Sequence, residues 1–427
     1  MNYLTKAAVL LILCSITAFF LNREEQRGSF ASANQTYIDW LIGNSKQKIQ
    51  DPSVTYLRID EETFKIFESE EERFGPVDFA LLFDKLRNYQ PKVTAVLPVL
   101  DFPEEDELLL STLKNGALQM DTLLLGAILE KNPTGTPVSE GILELLGSID
   151  SVKGDISRIP EFTSAKVLPE LQLRITSQMA FTEIDLGDAS SVGQNGLVVP
   201  LVARFKNTIV PSFLLQSVLL ENDLSPADVV VELGKEVRLG DTIKIPIDQR
   251  GFMTVFTGLR ERLPVHGADI LLWNADSLAD ADIGAGLSDN EREALEKRVV
   301  LIGYNDEKAK RIPFKNGERL SHAELFSLAI ATIQSGRYIH MVPTAAQWAL
   351  IGGIFLTGLL LLRLYRKRAA LGALALLVLF FITGMIQFQI NQSWMPLTTP
   401  LGLIACVFLC CLILARGKKE TTETEEA

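Results

Sequence analysis

The central part of this sequence has no cysteine. All four cysteines, Cys14, Cys406, Cys410 and Cys411, lie within long apolar runs near the two ends of the 427-residue chain. A disulfide framework or a zinc site built on thiolates would need cysteines in the polar block of residues 22–343. We therefore expect neither there, and that block is long enough to be stable through its apolar core alone.

Motifs for nucleotide chemistry and for hydrolysis are also missing. No GxGxxG or GxxxxGK stands where a strand would turn into a helix, and no GxSxG marks a nucleophilic serine. Only three histidines, His266, His322 and His340, could act as general bases. We expect no enzyme, no catalytic residue, no cofactor and no metal. A membrane-tethered hydrolase is the weakest alternative, because its site residues cannot be found.

Basic residues are too few for nucleic-acid binding. The chain has 41 Lys and Arg against 53 Asp and Glu, a formal net charge of −12. Neutralising phosphates needs a basic face, so no nucleic-acid partner is expected.

Apolar residues are abundant instead, and they are concentrated in four runs. The mean hydropathy is +0.20, and a helix needs about 20 apolar residues to cross a bilayer. We predict transmembrane helices at residues 4–21 (an anchor within 1–21), 345–362, 369–390 and 396–414. Ala349 and Gly353 would then form a small-residue contact face between the first two helices.

The positions of basic residues predict the orientation of these helices. Arg363, Arg366, Lys367 and Arg368 lie between the second and third runs, and more basic residues follow the fourth. Because basic loops stay on the cytoplasmic side, we predict a multi-pass protein of the bacterial inner membrane. Both termini would be cytoplasmic, residues 22–343 periplasmic, and residues 416–427 a short disordered tail.

The first run has two interpretations. It is either an uncleaved signal anchor or a signal peptide that is removed. No small-x-small site closely follows residue 21, and the one at residues 31–33 lies too far along. The uncleaved anchor is therefore preferred.

The polar block alternates strand and helix patterns. Apolar strands at 54–59, 93–99 and 122–128 alternate with helices at 77–89 and 105–114, which indicates βαβ units in a parallel sheet covered on both faces. Short runs at 229–233, 236–239, 242–245 and 252–256 indicate an antiparallel meander. A helix at 34–50, an irregular insertion at 132–160, a buried strand at 299–302 and a helix at 322–334 complete the pattern. The sequence thus predicts an α/β extracytoplasmic domain (parallel βαβ units plus an antiparallel meander) with four transmembrane helices.

Three polar residues are ligand-binding candidates in this arrangement. Asp60 and Asp101 follow predicted strands, and ligand crevices form at the carboxyl ends of parallel strands. His322 opens the last helix of the block, after Ser321. The alternative for each aspartate is a helix cap or a solvent-facing carboxylate, and for His322 a solvated or capping role.

Several stretches together resemble the type-two CHASE domain, an extracellular sensor associated with cyclases and histidine kinases. The strongest similarity lies in Arg-Val-Val-Leu-Ile-Gly at 298–303, followed by His-Ala and by Ile-Ala-Thr-Ile-Gln-Ser-Gly-Arg. The matching residues are 37–39, 54–60, 79–96, 245–251, 298–303, 322–323 and 330–337. Two elements depart from the family pattern: its Trp-Pro-Trp-Pro-Arg is reduced to Gly-Pro-Val at 75–77, and its Gly-Val-Glu is replaced by Arg-Leu-Ser at 319–321.

The resemblance implies a sensor, and the short tail at 416–427 predicts that it has no fused cytoplasmic effector. Its expected partners are the lipid bilayer, an unknown small-molecule or envelope signal, and an effector acting in trans, with a homodimer compatible with this arrangement. A periplasmic scaffold or structural envelope protein is the main alternative.

Overall fold

The chain forms two compact units. One unit, here called the helical unit, comprises Met1–Gln47, Val192–Gly196 and Ile339–Ala427, and the other, the α/β unit, comprises Lys48–Ser191 and Leu197–Tyr338. The computed structural model describes residues 3–27, 29–45, 51–66, 73–103, 105–133, 141–183, 192–193, 196–271, 289–305, 311–314 and 318–414. The predicted tail at 416–427 and the end of the predicted helix at 34–50 lie outside the described residues.

A largely parallel sheet forms the centre of the α/β unit. Its five consecutive parallel strands are, in spatial order, Val265–Gly267, Val54–Ile59, Val299–Tyr304, Val93–Val96 and Leu123–Glu130. The outer edge of the last strand pairs in parallel with Gln178–Phe181 and antiparallel with Ser164–Val167. The predicted parallel sheet is confirmed. Val299–Tyr304 lies between two strands that are much earlier in the chain.

Helices cover both faces of this sheet, as the sequence predicts. Pro76–Leu86 and Glu107–Ala117 pack on one face, and Phe213–Glu221 and His322–Ser335 pack on the other. Serine caps begin the second pair: the hydroxyls of Ser212 and Ser321 accept hydrogen bonds from the third helical N–H, at 3.2 and 3.1 Å. The sequence pattern did not predict the Phe213–Glu221 helix. This helix is buried on nearly all sides, so its apolar residues do not recur with a clear helical period.

The predicted meander is correct for three of its four strands. Val229–Glu232, Glu236–Leu239 and Ile243–Pro246 are antiparallel neighbours, and Ser151–Lys153 adds a parallel strand to the first of them. The fourth predicted strand was wrong: Phe252–Thr254 pairs with Gly196–Pro200 instead. The insertion at 132–160 is also more regular than predicted, since Ile142–Leu146 is helical.

The remaining short elements belong to the α/β unit, except Val192–Gly193, which belongs to the helical unit. Helical turns occur at Glu61–Ile66, Arg87–Tyr89, Ile156–Arg158, Leu171–Arg174, Pro226–Asp228, Thr257–Arg262 and Asp289–Leu295, and further short strands at Glu161–Phe162, Val192–Gly193, Val202–Phe205, Thr208–Pro211, Arg311–Pro313 and Arg319–Ser321.

Among the residues that the structure describes, two helices of the helical unit, rather than the predicted four, are long and apolar enough to cross a membrane. They are Tyr3–Glu25 and Arg366–Asn391, whereas Ala345–Leu361 and Thr398–Leu414 are shorter apolar helices. Arg366, Lys367 and Arg368 form the first turn of a helix and not a loop. The predicted amphipathic helix spans Ala31–Gly43, and Tyr37 and Trp40 pack edge-to-face on Phe381 at 6.0 Å.

The first and last helices of the helical unit pack closely. A Cβ on Gly402 would meet the end of the Leu21 side chain, so glycine leaves room there for that side chain. Within one chain the predicted contact face of Ala349 and Gly353 is not formed, because Ala349 is exposed and a Cβ on Gly353 would meet nothing within 4 Å. Small residues are common in apolar helices, and their spacing alone did not identify the contact.

A small parallel pair of strands adds to the helical unit. His340–Met341 pairs with Ser393–Trp394, and Val342 N donates to Trp394 O at 2.9 Å. The segment that enters the Thr344–Leu361 helix is thereby bound to the connection between the last two helices.

Candidate functional site

Asp60 caps a helix at the end of the first strand. Its Oδ1 accepts hydrogen bonds from the N and Oγ1 of Thr63 at 3.2 and 3.0 Å, and its Oδ2 pairs with Arg58 Nε at 2.7 Å. These contacts satisfy the first turn of Glu61–Ile66. The geometry matches the capping alternative.

Aromatic side chains cover the strand ends beside Asp60. Phe64 stacks on Tyr304 with ring centroids 6.2 Å apart, and Phe74 meets the edges of Phe64 and Phe79. The N–H of Phe74 donates to the Tyr304 hydroxyl at 3.3 Å. Aromatic side chains thus pack over the end of the first strand, where a ligand crevice beside Asp60 was expected.

Asp101 lies on the surface beyond the second predicted strand. Its backbone N–H donates to Val99 O at 3.0 Å, and its residue is exposed. The neighbouring backbone is held by Glu170, whose carboxylate accepts from Phe102 N at 2.7 Å and whose N–H donates to Leu100 O at 2.8 Å. Glu170, which sequence reasoning missed, fixes this segment.

His322 is half-buried at the start of the His322–Ser335 helix. Its ring meets the edge of Phe326 with centroids 4.8 Å apart. The hydroxyl of Ser321 caps the helix, so capping is done by the serine and not by the histidine. The structure thus shows the His322 side chain half-buried and in contact with one aromatic ring.

A charged cluster surrounds the same helix start. The Nε of Arg260 donates to Glu324 at 2.8 Å, its guanidinium also contacts Glu318, and it lies 5.0 Å over the ring of Phe314. Sequence reasoning missed this cluster, although Ser321-x-x-Glu324 has the spacing of a capping box. Glu324 binds Arg260 here, so its carboxylate serves a tertiary ion pair.

The hydroxyl of Tyr56 joins the helix start to two strand ends. It lies 3.3 Å from Ser321 Oγ, 3.5 Å from Gly303 O and 3.4 Å from Tyr304 O. Burial raises the pKa of Tyr56, so the hydroxyl stays neutral at physiological pH. A Cβ on Gly303 would clash with Ala323, so only glycine lets the helix start approach the strand this closely. We call Tyr56, Gly303, Tyr304 and Ser321 the strand–helix junction.

The Ile-Pro-x-Asp-x-x-Gly stretch forms a turn. The Oδ1 of Asp248 accepts from Arg250 N at 2.8 Å and from Phe252 N at 3.0 Å. Gly251 has a φ of +84° and packs against Val202, so a side chain there would be strained. The distinctive residues of this stretch therefore have structural roles.

An open polar cavity lies at the opposite edge of the sheet. It has a volume of about 370 Å³ and is lined by segments that precede the strands Val93–Val96 and Leu123–Glu130. Arg87, Gln90, Gln119 and Asp121 supply its polar groups. A small polar molecule fits such a lining, but sequence reasoning pointed to the other edge.

The three candidate residues have separate partners. Asp60 binds Thr63 and Arg58, Asp101 is exposed, and His322 contacts Phe326. Among the described residues, no group of three or more His, Cys, Asp or Glu side chains could hold a metal ion.

No family model, curated protein or solved structure significantly matches this chain. The resemblance to the type-two CHASE domain therefore stays a prediction.

Proposed function

We propose that this protein is a bacterial inner-membrane sensor whose α/β unit receives a signal outside the cytoplasm. The observation that carries the proposal is the His322–Ser335 helix. It is held at its start by the strand–helix junction and ends at Gly336, only a few residues before the chain enters the helical unit. A ligand that binds near the helix start, with different affinity for two positions of this helix, would shift the population between those positions. The shift would then be passed along the chain to the helical unit.

All four apolar helices cross the membrane in this proposal. The two shorter helices have 17 residues each, at the lower end of the about 17–25 residues that spanning requires. Basic residues flank them on the side assigned to the cytoplasm. The signal passes to a separate effector in the membrane or the cytoplasm.

Orientation is the first test of the proposal. Reporters active only in the cytoplasm or only in the periplasm would be fused after Gly336, Lys367, Ser393 and Lys419. We expect them to read outside, inside, outside and inside. A cytoplasmic signal after Gly336 would contradict a periplasmic α/β unit.

Ligand binding separates the sensor from a periplasmic scaffold. Full-length protein in detergent would be screened with metabolites and cations by thermal unfolding, because a molecule that binds only the native state raises the melting temperature. We expect a shift that Arg260→Ala reduces and that Arg158→Ala, at an exposed pair, leaves unchanged. A screen without any shift, combined with crosslinking to an envelope protein, would favour the scaffold.

A further inference from the structure

A cleft separates two helices of the helical unit along part of their length. Tyr3–Gln26 and Thr344–Leu361 meet at one end, where the Tyr3 hydroxyl donates to Leu359 O at 3.1 Å and Leu10 packs against Gly358. Further along the same helices, a cavity of about 400 Å³ opens between them, with Leu403 of the last helix in its wall. Its volume is within the range of about 300–1,000 Å³ that is typical of ligand pockets.

The cleft is apolar along one part and polar at one end. Leu11, Phe19, Ile354 and Phe355 line the apolar part. A smaller cavity of about 160 Å³ shares Ala18 and Asn22 with the cleft and adds polar groups that include Glu25 and Gln347. The two cavities together present an apolar part and a polar end, which is the polarity of an amphiphile.

The polar end presents hydrogen-bond acceptors. The two carboxylate oxygens of Glu25 accept from Asn34 Nδ2 at 3.2 Å and from Thr399 Oγ1 at 2.9 Å, and each oxygen has a second lone pair. The side-chain amide of Gln347 donates to Val342 O at 2.8 Å, and its side-chain carbonyl oxygen is a hydrogen-bond acceptor. A carboxylate and an amide oxygen at the end of an apolar cleft complement a cationic donor.

We propose that the cleft binds one membrane phospholipid with a primary ammonium head group. One acyl chain lies between the first and second helices of the unit, and the ammonium group lies against Glu25 and Gln347. The inference rests on the membrane insertion in the proposed function. Leu11 and Phe19 lie within the predicted span of residues 4–21, whereas Glu25 follows it at the level of the lipid head groups, so one lipid contacts the apolar part with its chain and the polar end with its head group.

The test uses full-length protein purified in mild detergent. The protein would be mixed with equal amounts of phosphatidylethanolamine and phosphatidylglycerol that carry identical acyl chains, and retained lipid would be counted by native mass spectrometry. We expect about one phosphatidylethanolamine per chain and several-fold less phosphatidylglycerol. Equal retention of the two lipids by the wild type would overturn the proposed head-group recognition.

Two variants and one control locate the site. Ala18→Trp fills the cleft and should abolish retention, whereas Ala8→Trp, at an exposed position of the same helix, should not. Glu25→Gln keeps an acceptor but removes the charge, and should lower the preference for the ammonium lipid about tenfold. Undiminished retention by Ala18→Trp would overturn the proposal, as would a lipid-free dimer in which a second copy covers the cleft.

The result of the lipid-retention test can be distinguished from the result of the orientation test of the proposed function. An inverted orientation in the reporter assay would contradict the sensor and leave the lipid count unchanged. Loss of lipid selectivity would leave the reporter pattern unchanged.

Discussion

The Tyr56 hydroxyl connects a helix start to the end of a strand. Its side chain is 2% exposed, and the hydroxyl lies beside Ser321 and two strand-end carbonyls. Backbone segments far apart in the chain therefore share one buried polar group, whose loss removes a hydrogen bond from each of them.

We expect Tyr56→Phe to lower the melting temperature of the protein. A lost buried hydrogen bond costs about 1 kcal/mol, which corresponds to about 2–4 °C for a domain of this size. Differential scanning fluorimetry of the full-length protein measures the change. Tyr89→Phe, where the ring is only partly buried, is the matched control, and an equal loss in both variants would contradict the role of the junction.

Glu221 predicts a dependence of stability on pH. Its Oε1 accepts from Gln334 at 2.7 Å, and burial raises the pKa of its carboxyl group while Lys92 lowers it less. A raised pKa means that the folded state holds the proton more tightly, so the stability from this group falls as pH rises from the unfolded value of about 4.3 through the folded pKa.

Glu221→Gln should remove this dependence. We expect the variant to melt higher than the wild type by about 1–3 °C near pH 7.5 and the difference to shrink toward pH 4, in melting curves recorded across that range. Glu293→Gln, at an exposed side chain, should follow the wild type. A constant difference at every pH would exclude ionisation of Glu221 as the cause.

At the scale of elements, the sequence pattern predicted which segments form strands and helices better than it predicted which strands pair with each other. The alternation at 54–128 gave the βαβ units, because each crossover is local. It could not place Val299–Tyr304 between Val54–Ile59 and Val93–Val96, since that pairing joins segments more than 200 residues apart. Phe252–Thr254 was assigned to the wrong partner for the same reason, because a strand with apolar residues on both faces can pair with more than one sheet edge.

The candidate site was predicted less well than the fold. A carboxylate after a strand can bind a ligand or cap the next helix, and the sequence around Asp60 does not decide between them. The deciding features are Thr63 and Arg58, which satisfy both of its oxygens. Arg260 was missed because its two acidic partners lie about 60 residues away.

Asp248 connects a turn to a strand pair. We expect Asp248→Ala to speed amide hydrogen exchange in Phe252–Thr254, because two backbone N–H groups lose their acceptor, at a cost of about 1–3 kcal/mol. Exchange in Val229–Glu232 should stay unchanged. Asp241→Ala, at an exposed position of a neighbouring turn, is the control, and an unchanged exchange rate at 252–254 in Asp248→Ala would contradict the role of this turn.

At the scale of the whole molecule, the helical unit is assembled from both ends of the chain. The thiols of Cys14 and Cys406 lie 3.9 Å apart, which places the first helix against the last. We expect a mild oxidant to join these two residues, since a small movement brings the sulfurs into bonding distance.

The crosslink can be read after cleavage of the chain within the α/β unit. The two fragments should migrate together on a non-reducing gel and separate after reduction. Cys14→Ser should abolish the band, and Cys411→Ser should keep it. Fragments that separate without reduction would contradict the packing of the first and last helices.

The contact between Leu21 and Gly402 also has a consequence in time. A ribosome that adds about 5–20 residues per second needs about 20–80 s to make the roughly 380 residues between them. Throughout that interval the first helix exists without the last helix, against which it packs in the finished protein. Slowing translation late in the message should therefore expose the nascent chain to membrane proteases, and a bulky residue at position 402, which would have to displace the Leu21 side chain, should loosen the same contact in the finished chain.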